Sequence, residues 1–184
     1  YIPAFHPNST ISSKVGMGKY CLYHGNLAVA ENNEAALFLV SEVFNSINSK
    51  LIIAGNKASK ELLEKASKLP NVEVREDLSI TEFDTLMRNA SVNVLPTFQP
   101  TGIKLKLLNA LYKGRFCLVN DHMVNNTGLA HLCTIANTGP EFAEGIVELE
   151  KSDFTKKHMA ERQEVLFSKF NNLHSAERLM ELFP

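Results

Sequence analysis

Ser91–Arg115, SVNVLPTFQPTGIKLKLLNALYKGR, reads as a strand, a loop and a helix in direct succession, and the apolar run Phe116–Val119 follows at once. Val92–Leu95 is short and β-type, and Pro96 and Pro100 bound the loop. At about 100° per residue, Ile103, Leu107, Leu108, Ala110, Leu111 and Tyr112 share one broad apolar arc, so the spacing predicts a helix over Ile103–Lys113, closed by Gly114. Further strand candidates are Tyr20–Tyr23, Leu51–Ala54, Val72–Val74 and Leu132–Ile135. Each is a short apolar run, as buried parallel strands tend to be. Helical patterns lie between them at Glu31–Ile47, Ala58–Lys68, Thr81–Asn89, Met123–His131 and Glu141–Glu150. A βα unit repeated about six times predicts an α/β fold, a Rossmann-like, doubly wound parallel sheet. Tyr1–Lys19, rich in Pro, Ser and Gly, reads as a lead-in or linker, residues 20–152 as the α/β domain, and residues 153–184 as C-terminal helices. The apolar stripe of those helices is expected to pack partly on the domain and partly on a partner outside this chain.

The same stretch has an unusual charge pattern. From Thr85 to Asn120 there is no Asp or Glu, whereas Arg88, Lys104, Lys106, Lys113 and Arg115 all fall there. A lysine in the first turn of a helix opposes the macrodipole and calls for an anion. Lys104, near the middle of the apolar arc, is therefore the more diagnostic lysine. Lys106 and Lys113 fall on the polar side, where a solvated face accounts for them equally well. Thr101-Gly102 adds a hydroxyl and unblocked N–H groups at the helix start, which suits phosphate oxygens.

The turn after the first strand, His24-Gly25-Asn26-Leu27, is the second candidate. Gly25 lets the backbone approach a ligand closely, although a plain strand-to-helix turn accounts for the same residues. His24 reads as a packed, hydrogen-bonded histidine, since the sequence places no acid beside it. In an open α/β sheet both turns would lie beyond the carboxyl ends of the strands, where ligands bind.

The 184 residues, 45% hydrophobic and 21% charged, form one ordinary domain with a real core. A formal net charge of −1 argues against a general nucleic-acid binder. Cys21, Cys117 and Cys133 lie in apolar runs and read as reduced, buried thiols of a cytosolic-type compartment. No apolar run reaches the roughly 18–20 residues that span a bilayer. No metal-ligand spacing, nucleophile elbow or P-loop is present.

In this order the elements resemble the C-terminal, donor-binding half of GT-B glycosyltransferases of the retaining, "glycosyl transferases group 1" type. The resemblance rests on YCLYHGNL, LIIAG, NVEVREDLSITEFDTLMRNASVNVLPT and TGIKLKLLNALYKG, and covers most of Tyr20–Glu150. It implies a site for a nucleoside-diphosphate sugar, UDP or GDP type, with Gly25, Asn26, Thr101, Gly102, Lys104, Lys106 and Asn109 as donor-binding residues. It implies no cofactor and no metal, and leaves the catalytic residues unassigned. The family's two glutamates would fall at Thr101 and Asn109, and its usual Lys or Arg after the first loop near Glu31-Asn32. If Asn109 faces the ribose, Lys106, three residues earlier, shares its side better than Lys104 does.

The resemblance further implies a glycan or lipid-linked acceptor held by an N-terminal domain, and a cytoplasmic location, at the membrane periphery or free. Two such domains need roughly 300–400 residues. This chain is expected to bind donor weakly and to catalyse nothing alone. Two alternatives stand beside the transferase: a non-catalytic glycosyltransferase-like binding module, and a nucleotide-sugar epimerase on the same scaffold.

Overall fold

The computed structural model describes residues 3–99 and 104–182. Six strands, β1 (Cys21–His24), β2 (Leu51–Ala54), β3 (Val72–Arg75), β4 (Val92–Leu95), β5 (Phe116–Val119) and β6 (Thr134–Ile135), form one sheet in the order β3-β2-β1-β4-β5-β6. Every pairing is parallel. This is the doubly wound order, and the chain reverses its direction of growth between β1 and β4.

Both faces of the sheet are covered, which is why its central strands read as continuous apolar runs. Cys21, Tyr23, Leu51, Ile53, Val92, Val94 and Leu118 point to one face. They pack there against α1 (Ala30–Phe38), α2 (Lys60–Ala66) and α6 (Gly139–Leu149). Leu22, Ile52 and Ala54 point the other way, against α3 (Ile80–Asn89). Leu95, Cys117 and Val119 share that second face with α4 (Leu105–Lys113), α5 (Asp121–Val124) and α7 (Lys156–Lys169). α8 (Asn172–Met180) follows α7.

Three elements differ from the sequence expectation. The helix expected over Glu31–Ile47 is α1 continued by a π-helical segment, Leu39–Val43, and stops there. The Asn71 amide takes the carbonyls of Phe44, Ile47 and Ser49, so the chain leaves the helix held by a side chain from before β3. The helix expected over Met123–His131 is the short α5, a loop, and a 3-10 turn at Ala130–Leu132. Asn126 (φ 59°) and Gly128 (φ 69°) are left-handed and interrupt it. That turn also takes up Leu132, so β6 begins at Thr134.

The lead-in, residues 3–19, lies along α4 and α7. Ser12 N–H donates to Tyr112 O at 2.8 Å, His6 Nε2 meets Phe170 O at 2.7 Å, and Gly16 bridges to Phe154. The C-terminal stripe divides. Leu166 and Phe170 are buried, whereas Leu173 (76% exposed) and Met180 (74%) face outward. Cys21 and Cys117 are buried thiols and Cys133 is half-buried.

Gly55 is fixed by close approach. A Cβ on it would stand 1.9 Å from Gly25 O, because the turns after β1 and β2 touch there. Gly55→Ala is expected to destabilise the fold by about 2–3 kcal/mol, as backbone must move to admit the methyl group. A urea titration measures it, and an unchanged midpoint would show that the two turns part freely.

Candidate functional site

The switch point between β1 and β4 opens a crevice at the carboxyl edge of the sheet, and its walls come from four segments. β1 supplies Tyr23 and His24 and passes into Gly25-Asn26. The first turns of α1 supply Glu31 and Asn32. Thr97 follows β4, and Lys106 comes from the first turn of α4. The post-β4 loop is held by Asn120 at the end of β5. Thr97 N–H donates to Asn120 Oδ1 at 3.1 Å, and Asn120 Nδ2 donates to Thr97 O at 2.6 Å.

Lys106 crosses the crevice. Its ammonium donates to Asn32 Oδ1 at 2.5 Å and lies 5.4 Å from the centroid of the Tyr23 ring. Tyr23 fixes the opposite wall, since its hydroxyl donates to Asn32 O at 2.8 Å. Burial lowers the Lys106 pKa, the Glu31 carboxylate opposes that shift, and Lys104 adds to it. Lys106 makes no ion pair with a carboxylate among the described residues. Glu31 instead accepts a short hydrogen bond from Thr97 Oγ1. The crevice thus holds a largely desolvated cation at a helix N-terminus, a place the macrodipole makes unfavourable for it.

Beside this crevice lies a pocket of about 520 Å³ between the turns after β1 and β2 and the start of α3. Gly25, Asn26, Gly55 and Asn56 give it polar edges, and Leu78 and Phe83 an apolar wall. His24 lines it, 5% exposed, with its ring edge-on to Phe83 at 5.1 Å. Among the described residues its Nε2 has no hydrogen-bond partner, unlike the bonded histidine that the sequence suggested. Burial, with the Lys106 charge second, lowers the His24 pKa from 6.5 to about 3.

A neutral buried histidine has a defined pH signature. The unfolded chain binds the proton near pH 6.5 and the folded chain only near pH 3, so stability falls as pH drops through that window. About 2 kcal/mol should be lost between pH 7 and pH 5 in the wild type and not in His24→Gln. Parallel urea titrations at the two pH values check this, and equal losses in both proteins would contradict it.

The remaining expected site residues are placed as follows. Gly25 and Asn26 line the pocket. Lys104 is the N-cap residue of α4, and its ammonium donates to Gln99 O at 3.1 Å. Burial, opposed by Glu31, lowers its pKa too. Asn109 accepts a 2.7 Å hydrogen bond from Asn8 Nδ2 of the lead-in. Thr101 and Gly102 lie outside the described residues. Two of the other three cations of the acid-free stretch are used elsewhere: Lys113 pairs with Asp84 at 2.7 Å, and Arg115 donates to the carbonyls of Gly16, Arg88 and Ala90, while the buried Nε of Arg88 has no hydrogen-bond partner among the described residues.

Tyr23 and Thr97 were not singled out by sequence, and Glu31 and Asn32 entered only as a departure from a family pattern. Their one sequence signal is position, just inside or beyond the ends of β1 and β4. It becomes readable only once those strands are known to be neighbours.

Among solved structures the chain is similar to TarM (TM-score 0.73, 14% identity, 99% of this chain and 38% of that one). It is also similar to a UDP-forming α,α-trehalose-phosphate synthase from Burkholderia xenovorans (TM-score 0.68, 7% identity, 91% and 44%). A third is AviGT4, a glycosyltransferase involved in avilamycin A biosynthesis (TM-score 0.63, 16% identity, 98% and 56%). The chain spans between about two fifths and just over half of these proteins. At such identities the likeness is one of fold: a Rossmann-like α/β fold matching these GT-B glycosyltransferases and consistent with a C-terminal domain of one. No protein-family model and no curated protein sequence matches the chain. Among the described residues no helix is long and apolar enough to cross a membrane.

Proposed function

We propose that this chain, which carries a Rossmann-like α/β fold matching GT-B glycosyltransferases, is the donor-binding half of a glycosyltransferase that takes a sugar from a nucleoside-diphosphate sugar. The observation that carries the proposal is Lys106: a desolvated cation, outside ion-pair contact with any described carboxylate, at the switch point of a doubly wound sheet. A diphosphate there would receive the ammonium and the N–H groups that open α4. The 520 Å³ pocket beside it has the volume and mixed lining for the nucleoside.

Transfer breaks the bond between the sugar and the β-phosphate, and negative charge grows on the departing diphosphate. Fixed positive groups in a water-poor crevice stabilise that charge more than they stabilise the bound donor. In this reading Lys106, Lys104 and backbone amides supply the charge, with no metal called on. The acceptor, a glycan or lipid-linked molecule, would be held by a second domain, in the cytoplasm. Titration calorimetry with UDP and GDP tests the reading. Saturable binding of one of them supports it, and binding of neither by this chain or by a longer protein containing it would overturn it.

A second reading, a non-catalytic module on the same fold, is favoured by Glu31. Its carboxylate stands in the crevice where a diphosphate would go, tied to Thr97. The two readings differ in sign for Glu31→Gln. A working donor site should bind nucleoside diphosphate roughly threefold to tenfold more tightly once the like charge is gone. A retired site should bind none before or after.

A further inference from the structure

We propose that a second pocket, at the elbow between α7 and α8, binds the phosphate group of a small phosphorylated polyol or sugar. The pocket encloses about 330 Å³ and is separate from the crevice. Its walls are the post-α5 loop (Asn126, Thr127), the end of α7 (Lys169, Phe170) and the start of α8 (Asn171, Arg178). None of its described lining residues is a carboxylate. Lys169 and Arg178 form no ion pair among the described residues.

The loop places donors opposite these cations. Asn126 and Gly128 both adopt positive φ, and neither backbone N–H has a hydrogen-bond partner among the described residues. Thr127 N–H between them is spent on Val124 O, and Leu129 N–H on Thr127 Oγ1, so the loop offers two separate unbonded N–H groups. Lys169 Nζ lies close to this loop, since a Cβ on Gly128 would stand 3.4 Å from that nitrogen. The positive end of the α8 dipole faces the same space, and Asn171 Oδ1 caps Leu173 N–H and His174 N–H there.

Two full cations with no carboxylate in the lining suit a phosphate dianion better than a single carboxylate. The pocket is also larger than bare phosphate requires. Its remaining lining, the amides of Asn126 and Asn171, the Thr127 and Ser168 hydroxyls and the apolar surface of Phe170, suits the hydroxyls and carbon skeleton of a polyol.

The test is an amide NMR titration of this chain with glycerol 3-phosphate, inorganic phosphate, glycerol and sodium chloride at matched ionic strength. Glycerol 3-phosphate is expected to shift Asn126, Gly128 and Asn171–His174 saturably, and to bind several-fold more tightly than inorganic phosphate. Combined K169Q and R178Q substitution should weaken it roughly tenfold or more, with the remaining spectrum unchanged. Shifts that sodium chloride reproduces, or that survive the double substitution, would overturn the site. Equal affinity for glycerol 3-phosphate and inorganic phosphate would overturn the polyol assignment. Nucleoside diphosphate added to the same sample reports on the crevice independently, through Gly25, Asn26 and Asn32.

Discussion

Arg162→Ala is expected to cost about 4–5 kcal/mol of folding free energy, a large share of the roughly 5–15 kcal/mol typical of a domain. The guanidinium is 3% exposed and has no carboxylate partner among the described residues. It donates to Leu111 O at 3.1 Å, to Gly114 O at 2.7 Å, to Arg115 O and to Ser13 Oγ at 3.3 Å, and lies 4.6 Å from the Phe154 ring centroid. Carbonyls at the end of α4 thus act as its counter-charge, the negative end of the helix dipole. Burial lowers its pKa, yet an arginine stays charged at any ordinary pH. Truncation leaves several buried carbonyls unpaired at about 1–3 kcal/mol each, offset in part by the desolvation of the charge no longer required. Urea titration of the two proteins checks it. A loss below about 1 kcal/mol would mean that water replaces the guanidinium. Arg162→Lys should recover little, because one ammonium cannot serve acceptors spread across the fork.

Lys106→Ala is expected to weaken UDP or GDP binding by roughly tenfold to a hundredfold, the scale of a charge-assisted hydrogen bond in a desolvated setting. Folding stability should hold or rise slightly, since the substitution removes a desolvated ammonium from the positive end of α4. Loss of affinity without loss of stability is the pattern that separates a ligand-binding lysine from a structural one. Calorimetry and thermal unfolding on one sample measure both. Unchanged affinity would remove Lys106 from any diphosphate site. Lys104→Ala is the companion: the ammonium of Lys104 already serves Gln99 O, so its removal should have the smaller effect.

The ranking of these lysines shows where sequence reading ends. By helical angle Lys104 falls near the middle of the apolar arc, and its first-turn charge opposes the macrodipole, which made it the more diagnostic of the two. In the structure Lys104 is the non-helical N-cap residue (φ −88°, ψ 47°), so the angular rule does not reach it. Lys106, assigned to a polar side, has Tyr23 and Asn32 across from it, and that side of α4 is the crevice wall. A polar face looks the same in sequence whether water or an active-site cleft lies beyond it. Asn125-Asn126-Thr127-Gly128 falls inside the helical pattern read over Met123–His131, and the left-handed Asn126 and Gly128 break that helix in the structure. The hold of Asn71 on three carbonyls was not legible, because it joins residues more than twenty positions apart.

By itself the sequence determined the local alphabet of this protein. Short β-branched runs, helical arcs and glycine stops gave the six strands, most helix positions and the parallel, doubly wound class, because burial on both faces leaves its pattern on each segment separately. The tertiary structure alone decided which segments meet. That Glu31 and Asn32 face Lys106, that Thr97 caps Glu31, and that Lys169 lies close to Gly128 follow from strand order and from packing between distant helices. Those are non-local choices, made by the closure of the whole core around the sheet, and no single stretch of chain encodes them.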